Sequence, residues 1–333
     1  MKNWDSNINN DKEGITDGVC PQELDFRDAK AVCDELCIPL YRVDFIKEYW
    51  DDVFKYFLSE LEKGRTPNPD IMCNKYIKFD LFKKEAKKLG ADKIATGHYA
   101  RIEGNRLLRG VDNNKDQTYF LSQVSSEQLK DVLFPVGGLT KPEVRKIAEE
   151  NNIPVAKKKD STGICFIGER HYQEFIANYL KGKKGDIIDV ETGKKVGTHK
   201  GLMNYTIGQR RNVGLSGDEK RHYVCGKDSK NNILYIAYGD DSKYLLSNEA
   251  IIEDMNYISD KHPVFATAKF RYRSEDVPVT IEYLENNQIR VKYDNVKAVT
   301  PGQACVIYLG EQCIMGGIIK QVFKDGQDIW YLR

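Results

Sequence analysis

The feature that most limits the fold is a change of texture part-way along the chain. Up to about residue 168, helical patterns alternate with short strand patterns. From Asp186 onward helical patterns nearly vanish, and runs of β-formers are separated by Gly and Asn turns such as Thr192-Gly193, Asn231-Asn232 and Asn286-Asn287. A β–α alternation calls for a parallel sheet covered by helices. Short strands punctuated by turn residues build antiparallel sheets or barrels. The chain therefore reads as α/β + β. The expected domains are a parallel-sheet domain over 1–168, a central mainly-β domain over 169–249 and a C-terminal barrel-like domain over 250–333.

Within the first part, spacing predicts helices over 26–36, 46–62, 69–89 and 141–151, and short strands over 39–45 and 93–96. The first helix carries an apolar stripe of Phe26, Ala29, Cys33 and Leu36. The second has Trp50, Val53, Phe54, Phe57 and Leu61 at helical spacing. The third sets Met72, Phe79, Phe82, Ala86 and Leu89 against a lysine face of Lys83, Lys84, Lys87 and Lys88. Thr140 and Glu143 form a capping-box pair, with Pro142 in the first turn. One more helix is expected over 171–181 and a hairpin over 279–293.

Basic residues number 51 and acidic residues 50, so net charge does not mark a nucleic-acid binder. Phosphate binding would have to come from local clusters such as Lys157 to Lys159, Lys181 to Lys184, Arg210-Arg211 and Lys269 to Arg273. No apolar run approaches the ~18–20 residues that cross a bilayer, and the start lacks the apolar stretch of a secretory signal. A cytoplasmic protein is expected. A disulfide framework is unexpected there. Cys20, Cys33 and Cys37 could ligate a metal with a fourth residue, but Cys33 also fits as a small buried side chain on its stripe.

Two segments carry candidate thiol chemistry. In Asn68-Pro69-Asp70-Ile71-Met72-Cys73-Asn74-Lys75, Asn68 suits an N-cap and Pro69 the first helical position. Cys73 then falls within the first turn and a half, where the helix dipole favours a thiolate, and Asp70 is close enough to accept a proton. A buried helix cysteine fits the same text. In Lys157 to Gly168, Cys165 lies between two glycines after a basic run, which suits an accessible, mobile thiol; a packed strand cysteine is the other reading. Together they suggest a two-thiol mechanism that delivers one sulfur and leaves a disulfide. Gly97-His98 follows a short strand, where open α/β sheets bind ligands. Lys115 to Phe120 either binds nucleic acid or begins a helix. Lys269-Phe270-Arg271-Tyr272-Arg273 alternates basic and aromatic residues on a predicted strand, and Pro301-Gly302-Gln303 is a turn whose amide could read a base edge.

These segments resemble the bacterial tRNA-uridine 2-sulfurtransferases, the 2-thiouridylase (MnmA) family. The match rests on Asn68-Pro69-Asp70 with Cys73-Asn74-Lys75, Ala95 to Tyr99, Asn114 to Phe120 and Lys159 to Gly168. Gly201 to Met203, Thr206 to Arg210, Phe270 to Arg273 and Thr300 to Gln303 continue it. The resemblance implies ATP-dependent transfer of persulfide sulfur to carbon 2 of the wobble uridine of tRNA. It implies Cys73 as nucleophile, Cys165 as persulfide carrier and Asp70 as proton acceptor. A Cys73–Cys165 disulfide would be left behind. Asn68, Pro69 and Asp70 would lie against the target base, and Gly97 and Met1 would border ATP. His98, Lys115, Asp116, Gln117, Arg271, Tyr272 and Gln303 would contact tRNA. A cysteine desulfurase or sulfur-relay protein would supply the sulfur, and no metal is implied.

Members of that family begin with a strand, a Ser-Gly-Gly-x-Asp-Ser pyrophosphate loop, a helix and a second strand. Met1 here matches an internal methionine of that second strand. The loop motif occurs nowhere in the sequence; the nearest text is Ser216-Gly217-Asp218. The expectation is thus a truncated nucleotide-binding domain with weakened ATP binding and bare apolar faces. The alternatives are a misassigned start, an inactive tRNA-binding fragment, or a two-cysteine thiol oxidoreductase.

Overall fold

The apolar spacing of the first part produces helices largely where it predicts them, but two of the helices are wound differently. In a computed structural model that describes residues 1–9, 11, 21–159, 172–215 and 221–332, the chain divides into two compact units. The first holds Met1–Tyr56, Pro69–Asn178 and Glu311–Cys313; the second holds Phe57–Asn68, Tyr179–Gly310 and Ile314–Arg333.

In the first unit α1 spans Pro21–Glu35. Helix α2 (Ile46–Tyr49) runs on through a π-helical segment, Trp50–Phe54, into α3 (Lys55–Glu62). Helix α4 (Pro69–Met72) continues through a longer π-helical segment, Cys73–Leu81, into α5 (Phe82–Lys88). The π winding shifts the buried face from the predicted stripe. Ile71, Cys73, Asn74 and Ile77 are buried with Met72 and Phe79, while Leu89 is exposed. Strand β1 (Ile94–Ala95) lies before the hairpin β2 (Ala100–Glu103) and β3 (Arg106–Arg109), which the sequence pattern did not suggest. Helix α6 (Ser126–Leu129), β4 (Val132–Leu133), α7 (Lys141–Glu150) and α8 (Tyr172–Ala177) follow. Strands β1 and β4 pair in parallel, Ile94 with Val132 and Ala95 with Leu133. The Glu143 carboxylate accepts from both the Thr140 N–H and hydroxyl at 2.7 and 2.8 Å, as the capping-box pair predicts.

Three expectations are corrected. The stripe on α1 is not buried: Phe26 and Cys33 are half-covered, and Ala29 and Leu36 are exposed. Arg42 lies over the Phe26 ring at 4.5 Å and is what covers that residue. The strand expected over 39–45 reduces to one parallel bridge, Lys2 with Asp44, because only Lys2 pairs with it. The last α/β helix is shorter than 171–181, and residue 171 lies outside the described residues.

The core of the first unit is aromatic. Trp4 contacts Phe54 with ring centroids 4.9 Å apart and Phe175 at 6.0 Å, and Phe54 meets Phe175 at 5.8 Å. The Trp4 indole N–H donates to Asp11 at 3.2 Å, which satisfies its one polar group.

The second unit is β. Strand β5 (Gly185–Asp189) pairs antiparallel with β6 (Lys195–His199) and parallel with β8 (Ile233–Tyr238), which pairs antiparallel with β7 (His222–Asp228). The remaining long strands are β9 (Leu246–Tyr257), β10 (Phe265–Lys269), β11 (Val277–Leu284), β12 (Gln288–Lys297), β13 (Ala304–Leu309) and β14 (Gln312–Lys324). They run in the order β13-β10-β11-β12-β9-β14, and β13 also pairs with β14, which closes the ring. Closure removes free strand edges. In the β11–β12 hairpin Ile281 faces Val291, and Asn286 and Asn287 hold φ of 58° and 54°, the left-handed pair that a tight hairpin turn requires. Inward residues Ile281, Ile289, Val291, Ile307 and Ile314 fill the barrel.

Replacing Phe54 by Ala is expected to destabilise the protein by about 3–5 kcal/mol, read from the denaturant midpoint of urea unfolding. A loss under about 1 kcal/mol, the size of a surface change, would show that the Trp4–Phe54–Phe175 cluster does not anchor the first unit.

Candidate active site around Cys73

The helix that carries Cys73 begins at Pro69, whose missing N–H costs nothing at the first helical position. Cys73 opens the π-helical segment and is fully buried. It therefore sits at the α–π junction rather than at an exposed helix start. Single-turn π segments concentrate at functional sites. The next residues clamp this helix to the 120–128 stretch. The Asn74 side-chain amide donates to the Phe120 carbonyl at 2.9 Å, Lys75 Nζ to Gln123 at 3.1 Å, and Gln128 Nε2 to the Lys75 carbonyl at 2.7 Å. The Asn74 side-chain oxygen is buried without a hydrogen-bond donor. Asp70, one turn before Cys73, is half-buried.

A cavity of about 410 Å³ lies beyond the carboxyl end of β1. Its lining includes Met1, Lys78, Phe82, Gly97, His98 and Gln117. The Gly97 Cα faces open space, since a Cβ there would meet no atom within 4 Å. This is the strand-end position at which open α/β sheets bind ligands. His98 Nδ1 is 2.8 Å from the Thr96 hydroxyl, and its ring packs against Phe79 at 5.5 Å and Phe134 at 5.9 Å. Burial, with a smaller push from Lys78, lowers its pKa from 6.5 to about 3, so it is neutral at physiological pH. Tyr99 and Gln117 hold each other: Tyr99 N–H donates to Gln117 Oε1 and Gln117 N–H to the Tyr99 carbonyl, both at 2.9 Å.

Asp116 is buried and its carboxylate is engaged inside the unit. It accepts from Gly110 N–H at 3.2 Å and from the Thr118 N–H and hydroxyl at 3.2 and 2.9 Å, with Arg109 3.8 Å away. Lys115 is half-buried on the preceding turn. The structure thus brings Met1, Gly97, His98 and Gln117 to one cavity, with Asp116 as internal support. Lys78 and Phe82, five and nine residues beyond Cys73, line the same cavity and were not anticipated.

In the second unit, Arg271 to Arg273 form a turn, not the predicted strand. Strand β10 ends at Lys269, and Ser274 donates to the Arg271 carbonyl from N–H at 3.1 Å and from its hydroxyl at 2.8 Å. The alternation is therefore not a sheet face. Phe270 enters the barrel core, Arg271 is exposed, Tyr272 is half-buried and Arg273 lies over its ring. Gln303 follows a turn in which Gly302 has φ +93°, and a Cβ on Gly302 would come within 2.8 Å of Thr66 N. Gln303 Nε2 donates to the Thr66 carbonyl at 2.7 Å, and Thr66 N–H donates to the Pro301 carbonyl at 3.0 Å. This stitch fixes the residues just before Asn68, which is half-buried.

Cys165 and its glycine-flanked loop lie outside the described residues. Burial raises the thiol pKa of Cys225, Cys305 and Cys313 well above the usual range, which suits structural rather than reactive cysteines. Among the described residues no group of three His, Cys, Asp or Glu gathers as a metal site, and no helix is long and apolar enough to cross a membrane.

A parallel β1–β4 pair with a cavity at its strand end, together with a closed six-stranded barrel, defines an α/β domain joined to β-barrel modules. Comparison with known proteins agrees. A family model described as tRNA methyl transferase HUP domain matches residues 1–169. Models described as tRNA methyl transferase PRC-barrel domain and aminomethyltransferase beta-barrel domain match 173–238 and 247–319. The tRNA-specific 2-thiouridylase MnmA of Mycoplasmopsis synoviae is 53% identical over 337 residues, covering 100% of this chain and 91% of the relative. Those of Staphylococcus carnosus and Lysinibacillus sphaericus are 51% and 49% identical, each covering all of this chain and 90% and 89% of the relative. The chain belongs to the tRNA-specific 2-thiouridylase (MnmA) family and is by family a transferase.

His98 binds fewer protons folded than unfolded between its ordinary pKa of 6.5 and about 3. Its contribution to stability is complete above 6.5 and is lost as pH falls through that window. Guanidinium unfolding at a series of pH values should show His98→Asn losing less stability than wild type over this interval. Parallel losses would mean that His98 is not held neutral.

Proposed function

We propose that this protein replaces the carbon-2 oxygen of the wobble uridine of tRNA with sulfur, using Cys73 and Cys165. The observation that carries the reading is identity of 49–53% along the whole chain to proteins named tRNA-specific 2-thiouridylases. The buried Cys73, on a helix whose later residues Lys78 and Phe82 line a strand-end cavity, supports it.

The residues present suit a nucleotide. The cavity offers open space at the Gly97 backbone and apolar surface from Met1 and Phe82. ATP held there would supply activation of the carbon-2 oxygen as a leaving group. Cys165 carries a persulfide delivered by a cysteine desulfurase or relay protein. Its outer sulfur attacks carbon 2, and the carbon–oxygen bond breaks. The Cys73 sulfur, its proton passed to Asp70, then attacks the inner Cys165 sulfur. That sulfur–sulfur bond breaks, and the outer sulfur stays on carbon 2 with the electron pair. A Cys73–Cys165 disulfide remains, and a dithiol reductant returns both thiols. Asn68, Pro69 and Asp70 lie against the target base. His98, Lys115, Gln117, Arg271, Tyr272 and Gln303 contact tRNA, with Asp116 fixing its neighbours. Neutral His98 can offer or accept a hydrogen bond without competing for phosphate.

Expressed from its complete gene in bacteria whose own 2-thiouridylase is deleted, the wild-type protein should restore 2-thiouridine, measured by mass spectrometry of tRNA nucleosides. Cys73→Ser should lower it to below about a hundredth while persulfide still loads on Cys165. Cys165→Ser should abolish both. Normal 2-thiouridine from Cys73→Ser would defeat the proposal, and disulfide turnover of small thiols without tRNA would point to an oxidoreductase instead.

A further inference from the structure

The second unit contains a cavity of about 450 Å³ that the sulfur-transfer reading leaves unused. Lys227, on β7, lines it and is 3% exposed. Its ammonium donates to the Gly64 carbonyl at 3.0 Å and among the described residues meets no carboxylate. Gly64 ends the turn after α3 with φ +78°, and a side chain there would come within 2.3 Å of the Ser229 hydroxyl. That hydroxyl donates to the Lys63 carbonyl at 3.1 Å. The loop over Lys227 is therefore held close and needs a glycine.

The other basic side chains around the cavity are paired. Lys63 and Arg65 share Glu60 at 2.7 and 3.1 Å. Arg65 and Lys320 share Glu253 at 3.0 and 3.7 Å. Asp328 accepts from Gln321 at 2.7 Å. Lys63, Arg65 and Lys320 each have a carboxylate partner, and among the described residues Lys227 has none. A buried ammonium without a counter-charge is unfavourable. One carbonyl uses one of its three donors. Apolar side chains Ile207, Val322, Ile329 and Leu332 form the rest of the wall. The cavity thus combines the buried Lys227 ammonium, beside three carboxylate-paired basic side chains, with an apolar surface, in more space than a bare ion fills.

We propose that this cavity binds a nucleotide, with its phosphoryl group on Lys227 and its sugar or base against the apolar wall of Ile207 and Leu332. The nucleotide comes either from RNA or from a free mononucleotide, and the phosphoryl chemistry is the same. Burial alone lowers the Lys227 pKa to about 7. A bound anion favours the ammonium, so binding takes up a proton near neutrality and weakens as pH rises above 7. The other charged groups around the cavity are Lys63, Arg65 and Lys320, with Glu60, Glu253 and Asp328.

The test follows the Lys227 ammonium signal of ¹⁵N-lysine-labelled full-length protein by NMR, with cytidine 5′-monophosphate as probe and cytidine as the uncharged control. The monophosphate should raise the Lys227 titration midpoint, and cytidine should not. Lys227→Met should weaken monophosphate binding about tenfold or more, the size of a lost charge-assisted hydrogen bond. Leu332→Trp, which fills the cavity while keeping Lys227, should do the same and decides the matter if Lys227→Met fails to fold. A tRNA transcript that displaces the monophosphate from Lys227 identifies RNA as the source; a transcript that leaves it bound identifies a free nucleotide. The proposal falls if neither probe moves the Lys227 signal, or if filling the cavity leaves binding unchanged.

Discussion

Between Cys73 and Leu81 the helix is wound with hydrogen bonds five residues apart, as where Phe82 N–H reaches the Ile77 carbonyl. Much of the candidate site depends on that winding. The wider turn keeps Cys73 and Ile77 together on the buried face and leaves Lys78 beside it, at the cavity. It also buries Asn74, whose amide then bonds the Phe120 carbonyl. A strained winding persists only where neighbours over-determine it. Here the bonds from Asn74, Lys75 and Gln128 do so. The 120–128 stretch leads into β4, and β4 pairs with β1, the strand that ends two residues before Gly97. The thiol helix and the cavity are thus held by one connected set of bonds.

The protein treats its buried ionisable groups in three different ways. The buried Asp116 carboxylate has three donors and a nearby arginine in place of the water it lost. His98 gives up its charge, because its aromatic surroundings offer nothing to an imidazolium. Lys227 has neither solution. Its single carbonyl partner favours the ammonium, and burial opposes it. That imbalance separates Lys227 from the internally satisfied groups.

Much of the fold was legible because it rests on local patterns. The capping box of Thr140 and Glu143, the Asn286-Asn287 turn and the buried residues of 46–62 follow from spacing and turn chemistry that involve few distant partners. The failures share the opposite cause. The stripe of Phe26, Ala29, Cys33 and Leu36 has helical period, but period does not say whether another element covers it. Arg271 to Arg273 alternates like a strand, yet the pairing partners of β10 stop at Lys269. The π segments contain no Gly or Pro to announce them, and the second is clamped by distant bonds to Phe120 and Gln123. In the site, Gly97, His98 and Gln117 were legible from a strand-end position and from family resemblance. Lys227 was not, since a lysine in a β run reads as solvated until its neighbours are known.

The stitch between Thr66 and Pro301 to Gln303 shows how a distant module can serve the thiol helix without touching chemistry. Thr66 precedes Asn68 by two residues, and both its N–H and its carbonyl are used by one turn of the barrel module. Arg65, just before it, is fixed by two carboxylates. With three successive restraints on 65 and 66, little conformational freedom is left to lose when the short link to Pro69 becomes ordered. Gly302 is indispensable to that economy, since any side chain would press on Thr66 N and break the bond it makes. The amide of Gln303 therefore has a positional role that any contact with RNA would have to share.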